Sequence, residues 1–159
     1  MTGEVSLVAR NARAVDTAEL IRLRAQMFES MGLYVSDPVW RQACESHFAL
    51  LDTDALFGAV VDDPGGPGLV ASGLVEVHQR IPSPLSHNGR VAYVSSVCTD
   101  DAWRRQGLAR LVMEHLLDRL RQMDVTTVDL HTTVAGEGLY RDFGFASRPQ
   151  PELRLQLRP

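Results

Sequence analysis

The chain has 159 residues, 45% hydrophobic and 23% charged, the balance of one globular domain, which excludes a wholly disordered or coiled-coil chain. No apolar run approaches the roughly 18 residues of a membrane span, and MTGEVSLVARNAR at the N-terminus has no secretory-signal pattern, so a cytoplasmic location with no membrane partner is expected. The formal net charge of −4 lacks the basic excess that drives binding to phosphate backbones, which argues against nucleic acid as a partner.

Val5 to Ala9 alternates weakly and reads as a first strand. Asp16-Thr17-Ala18-Glu19 has capping-box spacing, and Leu20, Leu23, Met27 and Met31 follow at helical intervals before a stop at Gly32. Asp37-Pro38 opens a second helix, with Val39, Trp40, Ala43, Cys44, Phe48 and Leu51 as its apolar face. Ala55 to Val61 and Leu69 to Gln79 read as strands joined by the turn Asp62-Asp63-Pro64-Gly65-Gly66-Pro67-Gly68. Arg80 to Gly89 is a loop, and Val91 to Thr99 is an apolar, β-branched strand. The longest helix runs from about Gln106 to Met123, followed by a strand over Thr126 to His131 and a short helix over Gly138 to Phe143 that ends at Gly144. Phe145 to Arg148 and Leu153 to Leu157 read as terminal strands. The order implies a single α/β domain over residues 1–159, a mixed sheet of about seven strands flanked by about four helices.

Other chemistries are poorly supported. All 16 basic residues are arginines, so no lysine is available for Schiff-base catalysis. Cys44 and Cys98 form no C-x-x-C pair, and His47, His78, His87, His115 and His131 are scattered, so no metal site is expected. The informative segment is Val97-Cys98-Thr99-Asp100-Asp101-Ala102-Trp103-Arg104-Arg105-Gln106-Gly107-Leu108-Ala109. A strand ends there, a polar turn follows, and a long helix begins beside a glycine. The first N–H groups of a helix have no internal partners and lie at its positive end, so this arrangement suits an anion. Gly107 leaves room for a pyrophosphate to approach the backbone, and Arg104 and Arg105 add charge. Neither a Walker loop nor a Gly-x-Gly-x-x-Gly fingerprint is present.

The segment Arg104-Arg105-Gln106-Gly107-Leu108-Ala109 resembles the pyrophosphate-binding motif of the GNAT (GCN5-related) N-acetyltransferases, Gln/Arg-x-x-Gly-x-Gly/Ala. Leu139-Tyr140-Arg141-Asp142-Phe143-Gly144-Phe145 is similar to that family's Leu-Tyr-x-x-x-Gly-Phe signature, and the order of elements agrees over nearly the whole chain. The resemblance implies an acyltransferase that uses acetyl-CoA as its acyl donor and moves the acetyl group directly to a primary amine. It places the pantetheine along the end of the Val91 to Thr99 strand, with Val97, Cys98 and Thr99 at the contacts. It places the pyrophosphate on Arg104, Arg105, Gln106, Gly107, Leu108 and Ala109. Tyr140, also beside the cofactor, becomes the general acid for the leaving thiolate, because a phenol near pKa 10 stays protonated at neutral pH.

The base is less legible. Several relatives carry a glutamate on the strand equivalent to Val91–Thr99, and here that strand has no carboxylate. Glu76 and His78, two apart and so on one face of the preceding strand, are the nearest alternatives, acting through water, and Ser96 could order that water. A covalent route through Cys98 with His131 as partner is disfavoured, because a buried free cysteine on a strand is far commoner and the family transfers directly. The resemblance puts the acceptor against Met27 to Trp40 and Arg80 to Arg90, where Phe28, Met31, Tyr34 and Trp40 could line a wall or simply pack. The acidic balance slightly favours a cationic acceptor. A non-catalytic acyl-CoA-binding or regulatory module is the alternative, and a homodimer through Leu153, Leu155 and Leu157 is compatible with the pattern.

Overall fold

The computed structural model describes residues 6–158. Five strands form one sheet in the order β1-β2-β3-β4-β5: β1 (Ala9–Asn11), β2 (Leu56–Asp62), β3 (Leu69–Gln79), β4 (Arg90–Thr99) and β5 (Thr127–Leu130). The first four pair antiparallel, and β4 and β5 pair parallel. Helices α1 (Thr17–Ser30) and α2 (Pro38–Phe48) precede β2, α3 (Leu108–Gln122) links β4 to β5, and α4 (Glu137–Asp142) follows β5. No helix among the described residues is long and apolar enough to cross a membrane.

Both sheet faces are covered. Phe57, Ala59 and Val61 of β2 point to one face, where Val112, Met113 and Leu116 of α3 are fully buried. The alternate residues Leu56 and Val60 point to the other face, against Leu20 and Leu23 of α1 and Phe48 of α2, as the two-residue period of a strand requires. The close approach of α3 depends on Gly73, where a Cβ would lie 2.6 Å from Val112 Cγ1.

The sheet has one irregularity that positions the site. Pairing between β3 and β4 shifts register between Ser72 and Leu74, and opposite that shift Ser96 adopts φ 53°. A bulge of this kind moves every later side chain to the other face. Ala92 and Val94 therefore pack toward α3, whereas Cys98 joins the core on the α1 side.

Two expectations need correction. Phe145–Arg148 and Leu153–Leu157 form no strands, so the sheet has five strands among the described residues rather than about seven. Pro149 and Pro151 lie between those segments and have no N–H to give a ladder. Leu153, Leu155 and Leu157 are 90%, 81% and 84% exposed. At the other end the first strand is Ala9–Asn11 rather than Val5 to Ala9, and Val5 lies outside the described residues.

Candidate active site

Strands β4 and β5 part company partway along. Their last paired residues are Val94 and Leu130, yet β4 continues to Thr99. The stretch Ser95 to Thr99 therefore has no strand beside it on the β5 side, leaving backbone donors and acceptors on that edge for something else. The bulge at Ser96 lies within this stretch. Ser96 is buried, and its hydroxyl accepts a hydrogen bond from Arg24 of α1, whose guanidinium stacks 4.7 Å from the centre of the Phe28 ring.

The free edge leads straight into the turn. Asp100 caps a short 3₁₀ turn over Asp101–Trp103, its Oδ1 accepting from the Ala102 N–H at 3.0 Å. The chain then takes left-handed conformations at Arg105 (φ 62°) and Gly107 (φ 78°). These two positions explain why α3 starts at Leu108 rather than at Gln106 as its apolar spacing suggests. Among the described residues no side chain caps α3, so its first-turn N–H groups point outward unpaired. A Cβ on Gly107 would meet nothing within 4 Å. The glycine is thus needed for its positive φ and leaves open space in front of the helix start.

The turn is held by α1. Arg22 donates to Asp100 Oδ2 at 2.7 Å, to Glu19 Oε2 at 2.7 Å and to the Leu69 carbonyl at 2.8 Å, while Glu19 Oε1 accepts from the Leu69 N–H. The Arg22 hydrogen bonds hold the Asp100 and Glu19 carboxyls below the usual carboxylate range. Arg104 pairs with Asp101 at 2.6 Å, whereas Arg105 has no carboxylate partner among the described residues.

Two concavities flank the turn. One, of about 320 Å³, lies between α1 and the end of β4 and is lined by Met27, Val97, Cys98, Thr99, Arg104 and Arg105, among others. The other, of about 460 Å³, is lined by Thr99, Arg104, Arg105, Gly107, Leu108 and Ala109, with Leu139 and Asp142 of α4 opposite. The expected cofactor residues from Val97 to Ala109 are thereby brought together, except that Gln106 sits in the turn and lines neither space, and Tyr140 lines neither of them. Tyr140 belongs to α4 and packs edge-on against Phe145, with ring centres 6.0 Å apart. Burial raises its phenol above the ordinary value, and proximity to Cys98 adds to that. The Cys98 thiol is itself pushed up to about 11 by burial and donates to the Ser96 carbonyl at 2.9 Å. It stays a thiol at neutral pH, which disfavours it as a nucleophile.

On the α1 side of the sheet a polar cluster surrounds the fork. Glu76 of β3 lies directly opposite Tyr93 of β4, and its Oε2 is 3.7 Å from His78 Nε2. Tyr93 Oη is 2.6 Å from Nδ1 of His131, the residue after β5, and His131 Nε2 is 2.9 Å from Glu152 Oε2. Tyr93, Glu152 and Arg24 are contacts that motif reading does not reach. His131 stands with Tyr93 and Glu152 rather than with Cys98. Phe28 and Trp40 pack edge-on at 5.9 Å, whereas Met31 and Tyr34 are exposed.

The fold is shared with solved proteins. A predicted acetyltransferase from Clostridium acetobutylicum, determined with acetyl-CoA, superposes with a TM-score of 0.82 at 17% identity over 96% of this chain and 97% of that chain. A GCN5-related N-acetyltransferase from Ralstonia eutropha gives 0.80 at 19% identity over 94% and 99%. Glucosamine-6-phosphate N-acetyltransferase from Arabidopsis thaliana gives 0.76 at 18% identity over 96% and 99%. No curated protein matches the chain in sequence. The family model for the GNAT acetyltransferases matches residues 18–145, which spans α1, the free edge of β4, the turn and the Tyr140 segment. With that match over most of its length, the chain belongs to the GNAT family of acetyltransferases.

Proposed function

We propose that the protein transfers an acetyl group from acetyl-CoA directly to a primary amine, with the whole chain acting as one catalytic unit. The observation that carries this reading is the unpaired edge of β4 running into an uncapped helix start at Gly107. These features fit the cosubstrate. A pyrophosphate needs N–H donors and positive charge, and the first turn of α3, Arg104 and Arg105 offer both. The pantetheine carries amides that suit the free backbone of Val97, Cys98 and Thr99. From Thr99 back to Val94 the strand covers about 17 Å, which leads from the turn to the fork beside Tyr93.

At the fork the chain's own groups do three things. Backbone N–H groups near the Ser96 bulge face the position of the developing oxyanion, where fixed dipoles stabilise charge without reorganising. Tyr140 gives a proton to the leaving thiolate, and its burial keeps the phenol protonated. Glu76 draws a cationic amine to the α1 side of the sheet and reaches it through a water that Ser96 helps to hold. The acceptor lies against α1, α2 and the Arg80–Arg90 loop.

The test is thiol release from acetyl-CoA against a panel of amino acids, polyamines, amino sugars and peptide N-termini. Release that requires both protein and amine supports transfer. Tight acetyl-CoA binding without release from any amine would favour the non-catalytic acyl-CoA-binding module instead.

A further inference from the structure

We propose that Tyr93, His131 and Glu152 form a proton relay that carries away the proton lost by the acceptor amine, an inference that rests on the acetyl-transfer reading above. Strand β4 has no carboxylate to do this, and Glu76 on the neighbouring strand reaches the amine only through water. The relay stands where a base is needed. Tyr93 is one residue before the last β4–β5 pair and His131 one residue after it, so the two side chains bridge the fork.

The hydrogen bonds set a direction. An ionised Glu152 only accepts, so His131 Nε2 carries the proton across the 2.9 Å contact. The neutral ring then has a bare Nδ1, which accepts from the Tyr93 O–H at 2.6 Å. A lone pair on Tyr93 Oη is left free to receive an N–H of the amine. As the amine nitrogen bonds to the thioester carbonyl carbon and the C–S bond breaks, its proton passes to Tyr93 Oη. The Tyr93 proton moves to His131 Nδ1, and Glu152 balances the imidazolium. The sulfur takes its proton from Tyr140. His131 then returns a proton to water, to which it is exposed, and Tyr140 regains one from solvent.

Several charges face this chain of groups from the surrounding elements. Glu152 and Arg154 come from the C-terminal segment, Glu76 from β3 and Arg24 from α1. Asp129, opposite Tyr93 on β5, lies 4.0 Å from Arg148. Burial is the main reason that the Tyr93 phenol is raised, which keeps it neutral between turnovers.

Two measurements on the intact protein test the relay. Nitrogen-15 NMR of the histidine rings reads the tautomer without any acceptor. The relay requires His131 protonated at Nε2 and bare at Nδ1 near neutral pH, and a proton on Nδ1 overturns it whatever the enzyme transfers. With an amine that the wild type acetylates, Tyr93→Phe and His131→Gln should each lower kcat/KM by about 10²-fold or more. Both should retain the thermal shift produced by acetyl-CoA. His131→Gln should also remove the acid limb of the pH profile, which a change that only disturbs packing would leave in place. Unchanged kcat/KM and pH profile in His131→Gln would overturn the relay and leave acetyl transfer standing. A wild-type protein that acetylates no amine would overturn the transfer reading on which the relay rests.

Discussion

Substitution at Gly107 separates what the helix start contributes to folding from what it contributes to binding. With φ at 78° and no atom within 4 Å of an added Cβ, the cost to the free protein is conformational and not a clash. Placing valine in a left-handed conformation costs about 1–2 kcal/mol, or roughly 2–8 °C in Tm for a domain of this size. Asparagine tolerates that conformation, so Gly107→Asn should melt close to the wild type. Both side chains project into the open space before the unpaired N–H groups of α3. At about 100 times Kd, acetyl-CoA should stabilise the wild type by roughly 2.7 kcal/mol, which is about 5–11 °C. Scanning calorimetry with and without acetyl-CoA reads both effects. Gly107→Asn should lose the ligand-induced shift while keeping the unliganded Tm. A folded Gly107→Asn or Gly107→Val protein that shows the full shift would refute the placement of the pyrophosphate at this turn.

Other outcomes follow from the same geometry. Tyr140→Phe keeps the packing against Phe145 and removes the proton donor, so kcat should fall by about 10²–10⁴-fold with acetyl-CoA affinity nearly unchanged; steady-state kinetics and a binding isotherm decide it. Gly73→Val should destabilise by about 1–3 kcal/mol through overpacking, since its Cβ would lie 2.6 Å from Val112 Cγ1 and 3.1 Å from Leu116 Cδ1; denaturant titration measures it. The Glu19–Arg22–Asp100 network should make stability depend on pH. Both carboxyls titrate lower in the folded state, so their contribution is complete above their unfolded values near pH 4 and is lost as pH falls through the folded ones. Denaturation midpoints between neutral and acid pH should therefore fall less steeply in Arg22→Met than in the wild type.

Local chemistry made much of this fold readable. Asp37-Pro38 is a capping and first-turn pair, and the helix begins there, with Asp37 Oδ1 accepting from the Val39 N–H at 2.9 Å. The proline- and glycine-rich turn marks off Leu69–Gln79, which is the observed strand. The motif from Arg104 to Ala109 falls in the turn between a strand and a helix start, as its residue types suggest. The alternating leucines near the C-terminus mislead because alternation reports which residues share a face, not whether a partner strand exists. The bulge at Ser96 is invisible in sequence, since it arises from pairing with β3 across Gly73. The contacts of Tyr93 with His131 and of His131 with Glu152 join three separate segments, and no local spacing announces them.

The most direct test of the account is residue-resolved amide hydrogen exchange with and without acetyl-CoA. If the cosubstrate lies along the free edge of β4 with its pyrophosphate on the start of α3, exchange should slow at backbone N–H groups within Val97–Thr99 and Gly107–Ala109. Protection confined to other elements, with these amides exchanging as before, would contradict it.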